Sequence, residues 1–195
     1  MGGQVAVAAA AATAGWMAWA VRGRASTVFA PSIWHGPAVR ELALTFDDGP
    51  SESTPQLLNV LARHSVRATF FQCGMHARRL PAVAREVVDA GHEIGNHTEN
   101  HAPLWLRSTG FLRDEIGRAQ HSIAEATGMA PRLFRAPYGV RWPGLGGIQR
   151  EFGLTGVMWT VIGNDWSLPA GAVATRVGNG ARPGAIVCLH DGRER

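Results

Sequence analysis

Lysine is absent from the 195-residue chain: all 19 basic side chains are arginine, set against 15 acidic residues for a net charge of +4. The arginines occur singly or in pairs. No basic run marks a nucleic-acid face, so no nucleic-acid partner is expected, while the mild positive balance suits anionic surfaces or polymers. Cysteine is nearly absent as well. Cys73 and Cys188 each lie inside an apolar run (TFFQC and AIVCL), and no Cys-x-x-Cys pattern exists. That excludes a thiolate metal site of this spacing and favours two buried thiols on neighbouring strands. Charged residues make up 17% and hydrophobic residues 46%, which excludes a disordered chain. There is no internal repeat, no low-complexity block and no linker that would split the main domain. The length suits one domain with a sizeable core.

The N-terminus has an uncharged run from Val5 to Val21, VAVAAAAATAGWMAWAV, 17 residues long. A membrane span needs ~20 residues and a signal-peptide core ~7–15, so the segment falls between the two. Ala18-Trp19-Ala20 has the small-x-small form of a cleavage site. A basic leader before the run is missing, however, and Arg22 and Arg24 follow it instead, where they would hold the C-terminal side in the cytoplasm. The reading is a hydrophobic segment over 1–24, a membrane anchor or uncleaved export signal placing the protein at the cell envelope. Residues 25–40 then read as a linker and 41–195 as the main domain. A buried or amphipathic helix is the plain alternative.

Beyond the loop-like stretch Arg24–Arg40, strand and helix patterns alternate. Strands are expected at Leu42–Phe46, Ala68–Cys73, Glu93–Asn96, Leu133–Arg135, Thr155–Ile162 and Ala185–Leu189. Helices are expected between them. Thr54-Pro55 opens one as N-cap and first-turn proline, Pro81–Ala90 is closed by Gly91, and Ser108 or Thr109 starts a longer one to Thr127, ended by Gly128. A short helix reaches Phe152, and Ala172–Val177 forms the last. This βα alternation predicts a parallel sheet with helices outside, either a barrel or an open doubly wound sheet. The polar motifs all fall just after the apolar runs, at the strand ends where α/β architectures keep their chemistry.

TFDDGP sets Asp47 and Asp48 side by side at the end of a buried run, and Gly49-Pro50 turns the chain sharply beside them. GNHTENH sets His97 and His101 four apart; in a single helical turn both imidazoles would share one face. The zinc-protease motif needs Glu directly after the first His, and Thr98 stands there, so that reading fails. One carboxylate plus two histidines instead make a three-ligand site with an open position, as catalytic zinc requires. A bound metal offsets the repulsion of two adjacent carboxylates, so that one ligates while the other takes a proton from the attacking water. Arg135 in FRAPYG offers a fixed charge to orient a carboxylate, NDWS pairs Asp165 with Trp166, and VCLHDG ends on His190, a candidate general acid. Metal, base, acid and electrostatic support together describe hydrolysis of an acyl bond.

TFDDGP, HTENH, FRAPYG, NDW and LHD, in this order over roughly Glu41 to Asp191, resemble the five motifs of the polysaccharide deacetylases, the NodB-homology domains of carbohydrate esterase family 4. The resemblance implies an α/β fold, a deformed (β/α)7 TIM-like barrel, and metal-dependent removal of acetyl groups from N-acetylated polysaccharide. By motif, Asp47 resembles the base, and Asp48, His97 and His101 the metal ligands. Arg135 resembles the residue that steadies the base. Tyr138 resembles an oxyanion donor through its backbone N–H, Asp165 the partner of the acid His190, and Trp166 and Leu189 the walls of the acetyl pocket. Family members continue past the last motif, so the barrel is expected to lack its last helix and strand and to carry an open edge. One divalent ion is implied, zinc first, then cobalt or another. The implied partner is an acetylated glycan polymer such as peptidoglycan or a chitin-like chain. An O-acetyl xylan esterase, a small-amide hydrolase and a non-catalytic glycan-binding fragment are the alternatives.

Overall fold

Short apolar runs rich in β-branched and aromatic residues, each ended by polar turn residues, form the strands. A computed structural model describes residues 2–192. Its strands are β1 (Ser32–Ile33), β2 (Ala43–Asp47), β3 (Thr69–Gln72), β4 (Glu93–Asn96), β5 (Leu133–Phe134), β6 (Thr155–Val157), β7 (Val161–Ile162) and β8 (Ile186–His190). The helices are α1 (Gly2–Arg22), α2 (Thr54–Arg63), α3 (Gly74–Arg79), α4 (Pro81–Asp89), α5 (Thr109–Thr127), α6 (Leu145–Glu151) and α7 (Ala170–Gly180).

All strand pairs are parallel, in the order β1-β6-β5-β4-β3-β2-β8-β7. The expected single strand over Thr155–Ile162 is two. Its first part pairs with β5 and its second with β8, and only residues 158–160 separate them. Within that corner, Met158 N–H donates to Ile33 at 2.7 Å and Thr160 N–H to Ile186 at 2.9 Å. One bent segment thus serves both ends of the paired order, and the sheet curls into a deformed barrel of eight strands rather than seven. The open edge is not at β8, which is flanked by β2 and β7; β1 and β7 are the ends of the paired order. Residues 25–40, which read as a linker, contribute β1 to the sheet and bury Ala30. Helix α3 was not anticipated. Six residues carry too little periodicity to show, and Gly74 is needed because a Cβ there would meet Glu99 and the backbone of Ala119 on α5.

Strand alternation divides the core into layers. Phe46, Phe70 and Ile94 point outward and pack with Leu58, Val87 and Ile123 of α2, α4 and α5. Phe71, Val157 and Ile186 fill the barrel interior. A third cluster joins Leu112 and Ile116 of α5 to Leu145 and Ile148 of α6. Helix α5 is capped as its sequence suggests: Ser108 Oγ accepts from Phe111 N–H at 3.2 Å, and Gly128 turns left-handed at φ 76°. Thr54 does not cap α2, whose N-cap is Ser53. The Thr54 hydroxyl instead accepts from Ser51 N–H at 2.8 Å and donates to Asp191 at 2.7 Å.

Gly95, on β4 beside Phe71, shows how the interior sets the site. An added Cβ would strike the Phe71 ring, which lies 4.1 Å beneath the Arg135 guanidinium. Gly95→Ala is expected to lower unfolding stability by ~1–3 kcal/mol, as overpacking does. Denaturant unfolding checks this, and a loss of turnover should accompany it because the displaced ring moves Arg135.

Candidate active site

The parallel register gathers the motifs at one rim. Asp47 ends β2 level with His190 on β8, while His97 follows β4 and Arg135 follows β5. Asp47 is buried beside Asp48, whose φ is 74°. That left-handed turn separates the two carboxylates. Asp47 receives Arg135 Nη1–H at 2.6 Å, whereas Asp48 Oδ1 lies 3.3 Å from His97 Nε2 and 3.1 Å from His101 Nε2.

The segment after β4 is not the helical turn assumed from the four-residue spacing. Thr98 and His101 both have left-handed backbones, at φ 67° and 51°. Polar side chains that the sequence did not mark hold this loop. Asn96 Oδ1 accepts from Thr98 N–H at 2.8 Å, and its amide donates to Ile116 O and Gln120 on α5. Glu115 accepts from Asn100, Glu99 takes Ser122 and Arg78, and Gly74 and Met75 N–H at the start of α3 donate to the carbonyls of Thr98 and Glu99. Only the buried state of Glu99 and Glu115 reveals this role.

His97 Nδ1–H donates to Arg135 O at 2.7 Å, so Nε2 turns its lone pair toward the Asp48 carboxylate. A lone pair facing a carboxylate oxygen in a buried site is repulsive unless a proton or cation lies between them. Asp48, His97 and His101 offer ligand atoms within 4.8 Å of one another, and this O,N,N set fits a divalent metal. Burial alone would lower the His97 pKa, but the charges of Asp47 and Asp48 outweigh it and raise it above the ordinary value.

Arg135 is fully buried and spends its donors widely. It reaches Asp47, Thr45 Oγ1 at 2.7 Å, Met158 O at 3.2 Å and Val157 O at 3.3 Å. Across the pocket, Asp165 Oδ1 accepts from His190 Nδ1 at 2.9 Å and Oδ2 from the His190 N–H at 2.7 Å. Burial favours a protonated Asp165, yet these bonds win and hold its carboxyl below the usual range. Asp191 is pushed the other way, to about 7, by burial and by Asp47 and Asp48, against the bond from Thr54. Trp166 meets the His190 ring edge-on at 4.8 Å, and Tyr138 meets His101 at 4.7 Å.

A hollow of about 260 Å³ is lined by Asp47, His97, His101, Tyr138, Trp166 and His190, with Cys188, Ile162 and Trp159 as further walls. Leu189 is not among them. Because Cys188 and His190 face inward on β8, Leu189 must face outward, where it packs with Leu44 and Leu57 against the outer core. Cys188 takes the inward place; its Sγ lies 3.4 Å from Asp47 Oδ2, and burial with the Asp47 charge keeps the thiol protonated.

A family model described as polysaccharide deacetylase matches residues 36–157. The chain belongs to the polysaccharide deacetylase family. Among its relatives, a chitooligosaccharide deacetylase of Bradyrhizobium is 40% identical over 78% of this chain and 71% of that protein. The peptidoglycan-N-acetylglucosamine deacetylase PgdA of Listeria monocytogenes is 37% identical over 85% of this chain, which spans only 35% of that relative's length. The family 4 carbohydrate esterase of Streptomyces lividans, solved with acetate, superposes with a TM-score of 0.74 at 38% identity, covering 77% of this chain and 78% of that one. A family 4 pseudoenzyme of Bacillus anthracis superposes at 0.78 and 32% identity, covering 83% and 58%. Membership in the polysaccharide deacetylases therefore establishes the fold, and the side chains at the rim must decide the chemistry.

The raised His97 pKa has a consequence for metal binding. His97 must be neutral to ligate, so protons compete from a pH above the ordinary histidine value of about 6.5 downward. Metal affinity is expected to begin falling above that pH as the solution is acidified, measured by competition with a chromophoric chelator. Affinity that stays constant down to pH 5 would remove His97 from the ligand set.

Proposed function

We propose that this protein is a metal-dependent deacetylase of N-acetylated polysaccharide, acting on a peptidoglycan or chitin-like chain at the cell envelope. The observation that carries the reading is the division of the two aspartates. Asp48 faces two imidazole nitrogens, and Asp47, held by Arg135, lines the same hollow as His190 on the neighbouring strand, their ligand atoms within 4.8 Å of each other. Asp48, His97 and His101 would hold the ion, and two nitrogens with one oxygen favour zinc, with cobalt or another divalent ion as substitutes. When bound, the metal supplies a Lewis acid that polarises the acetyl carbonyl and acidifies a water.

The remaining steps belong to the chain. Asp47 accepts the proton of the attacking water, and Arg135 holds and aims that carboxylate. The Tyr138 backbone N–H donates to the oxyanion as the carbonyl carbon becomes tetrahedral. His190, its Nδ1–H tied to Asp165, presents Nε2–H to the amide nitrogen. The C–N bond breaks as that proton transfers, giving acetate and a free amine. Trp166 walls the acetyl pocket.

Acetate release from N-acetylated glycans is expected with metal, to be lost with chelator and to return on add-back. Asp47→Asn should keep the metal and lose turnover, whereas Asp48→Ala should lose the metal itself. Turnover unaffected by chelation would overturn the reading.

An amide leaving group is too basic to depart unprotonated. His190→Ala is therefore expected to lower kcat on the glycan by ~10²–10⁴ with metal content unchanged, and by much less on an activated ester. Equal losses on both substrates would show that His190 serves structure or binding.

A further inference from the structure

Arg141 is fully buried, yet it touches neither the metal cluster nor the acid–base pair. It holds the end of α1. Its guanidinium donates to Ser26 O at 2.7 Å and to Gly23 O, and its N–H to Val21 O at 3.0 Å. Helix C-termini leave carbonyls without intrahelical partners, and a cation there also complements the helix dipole. Ser26 Oγ adds a bond to Ala20 O at 3.0 Å, and Arg24 donates to Thr160 O beside β7. Separate contacts thus pin the last turn of α1 to the rim of the barrel.

That attachment carries Arg22 into the wall of the catalytic hollow. The Arg22 guanidinium makes no hydrogen bond or ion pair among the described residues, while Asp47, the carboxylate that shares its hollow, is engaged by Arg135 and Cys188. Arg22 and Tyr138 also line a second groove of about 600 Å³, walled by Met17 and Val21 of α1 on one side and by Trp105 and Trp142 on the other. The two hollows meet at these shared residues. Trp105 and Tyr138 are about half exposed, at 53% and 50%. Aromatic faces continuous with a catalytic hollow suit the C–H face of a pyranose ring, and an arginine without a partner suits a carboxylate.

Resting on the deacetylase reading, we propose that the last turn of α1 is one wall of a second sugar subsite. The unit next to the reacting residue lies against Trp105 and Trp142, and Arg22 pairs with a carboxylate carried by that unit. The substrate class is then an N-acetylated glycan with carboxylated neighbouring sugars, in preference to a neutral one. Helix α1 has a part in recognition, whatever it does at a membrane.

The test uses the full chain with two oligomers of equal length, one with a carboxylate on alternate sugars and one of N-acetylglucosamine alone. Arg22→Gln is expected to weaken binding of the carboxylated oligomer, read by tryptophan fluorescence, by about three- to ten-fold, the effect of one charge-assisted hydrogen bond discounted for solvent. Its KM in acetate release should rise several-fold more for the carboxylated oligomer than for the neutral one, and the salt dependence of carboxylated-oligomer binding should flatten. Trp105→Ala should weaken both oligomers. Equal effects of Arg22→Gln on the two oligomers, or none on either, would overturn the proposal. So would a fluorescence response to phosphatidylglycerol vesicles with none to glycan. Failure of the deacetylase reading looks different: no acetate from either oligomer, with the binding measurements still deciding the subsite.

Discussion

The buried ion pair between Arg135 and Asp47 is the contact on which the rest of the rim depends. Two charges taken from water are tolerated only where their remaining hydrogen-bonding capacity is met, and Arg135 meets it by reaching β2, β6 and the corner after β6 at once. It bonds Thr45 and Asp47 on β2 and the carbonyls at the corner where β6 becomes β7. The same residue's carbonyl receives His97 and fixes its tautomer. The β6–β7 corner, the orientation of Asp47 and the aim of the His97 ring therefore share one residue. The rings of Phe71 and Trp159 lie 4.1 and 5.7 Å from its guanidinium. A lysine could not replace it, having neither the flat fork nor enough donors.

Adjacent carboxylates are costly in a buried site, and the backbone resolves the conflict. The left-handed residue Asp48 sends its carboxylate toward the two histidines while Asp47 stays in the strand with Arg135. Asp191, tucked under the same turn, is pushed up to about 7 by its burial and by the charges of Asp47 and Asp48. Each acidic group at the rim has a different environment, and the different roles follow from that.

A family pseudoenzyme with the same fold shows that architecture alone does not carry the activity. Here the side chains proposed as acid, base and metal ligands stand together at one rim. Around it lie supports with no chemistry of their own: the Asn96, Glu99 and Glu115 network under the histidine loop, and the Arg141 clamp on α1. Among the described residues no helix is long and apolar enough to cross a membrane. The N-terminal segment, read from its sequence as an anchor or export signal, ends with Arg22 in the wall of the hollow that Asp47 and His190 line.

Much of the molecule was legible in the chain because short-range patterns set it. Apolar runs ending in polar residues announced strands with chemistry at their C-terminal ends, and Ser108, Gly128 and Pro55 marked helix boundaries through local backbone preferences. The motif residues Asp47, Asp48, His97, His101, Arg135, Asp165 and His190 do meet at one rim, because parallel strands bring all their C-terminal ends together. What the chain did not reveal is what depends on contacts between distant segments. Spacing suggested a helical turn for His97 and His101, but bonds from α3 and α5 hold a left-handed loop. Leu189 read as a pocket wall, but the pleat set by pairing with β2 turns it outward and gives its place to Cys188. Arg22 read as a flanking charge until Arg141, more than a hundred residues away, drew the end of α1 onto the rim. Local sequence determined which elements form and which end of each is polar. Only tertiary packing decided which side chains face one another, because that choice is made by partners far apart along the chain.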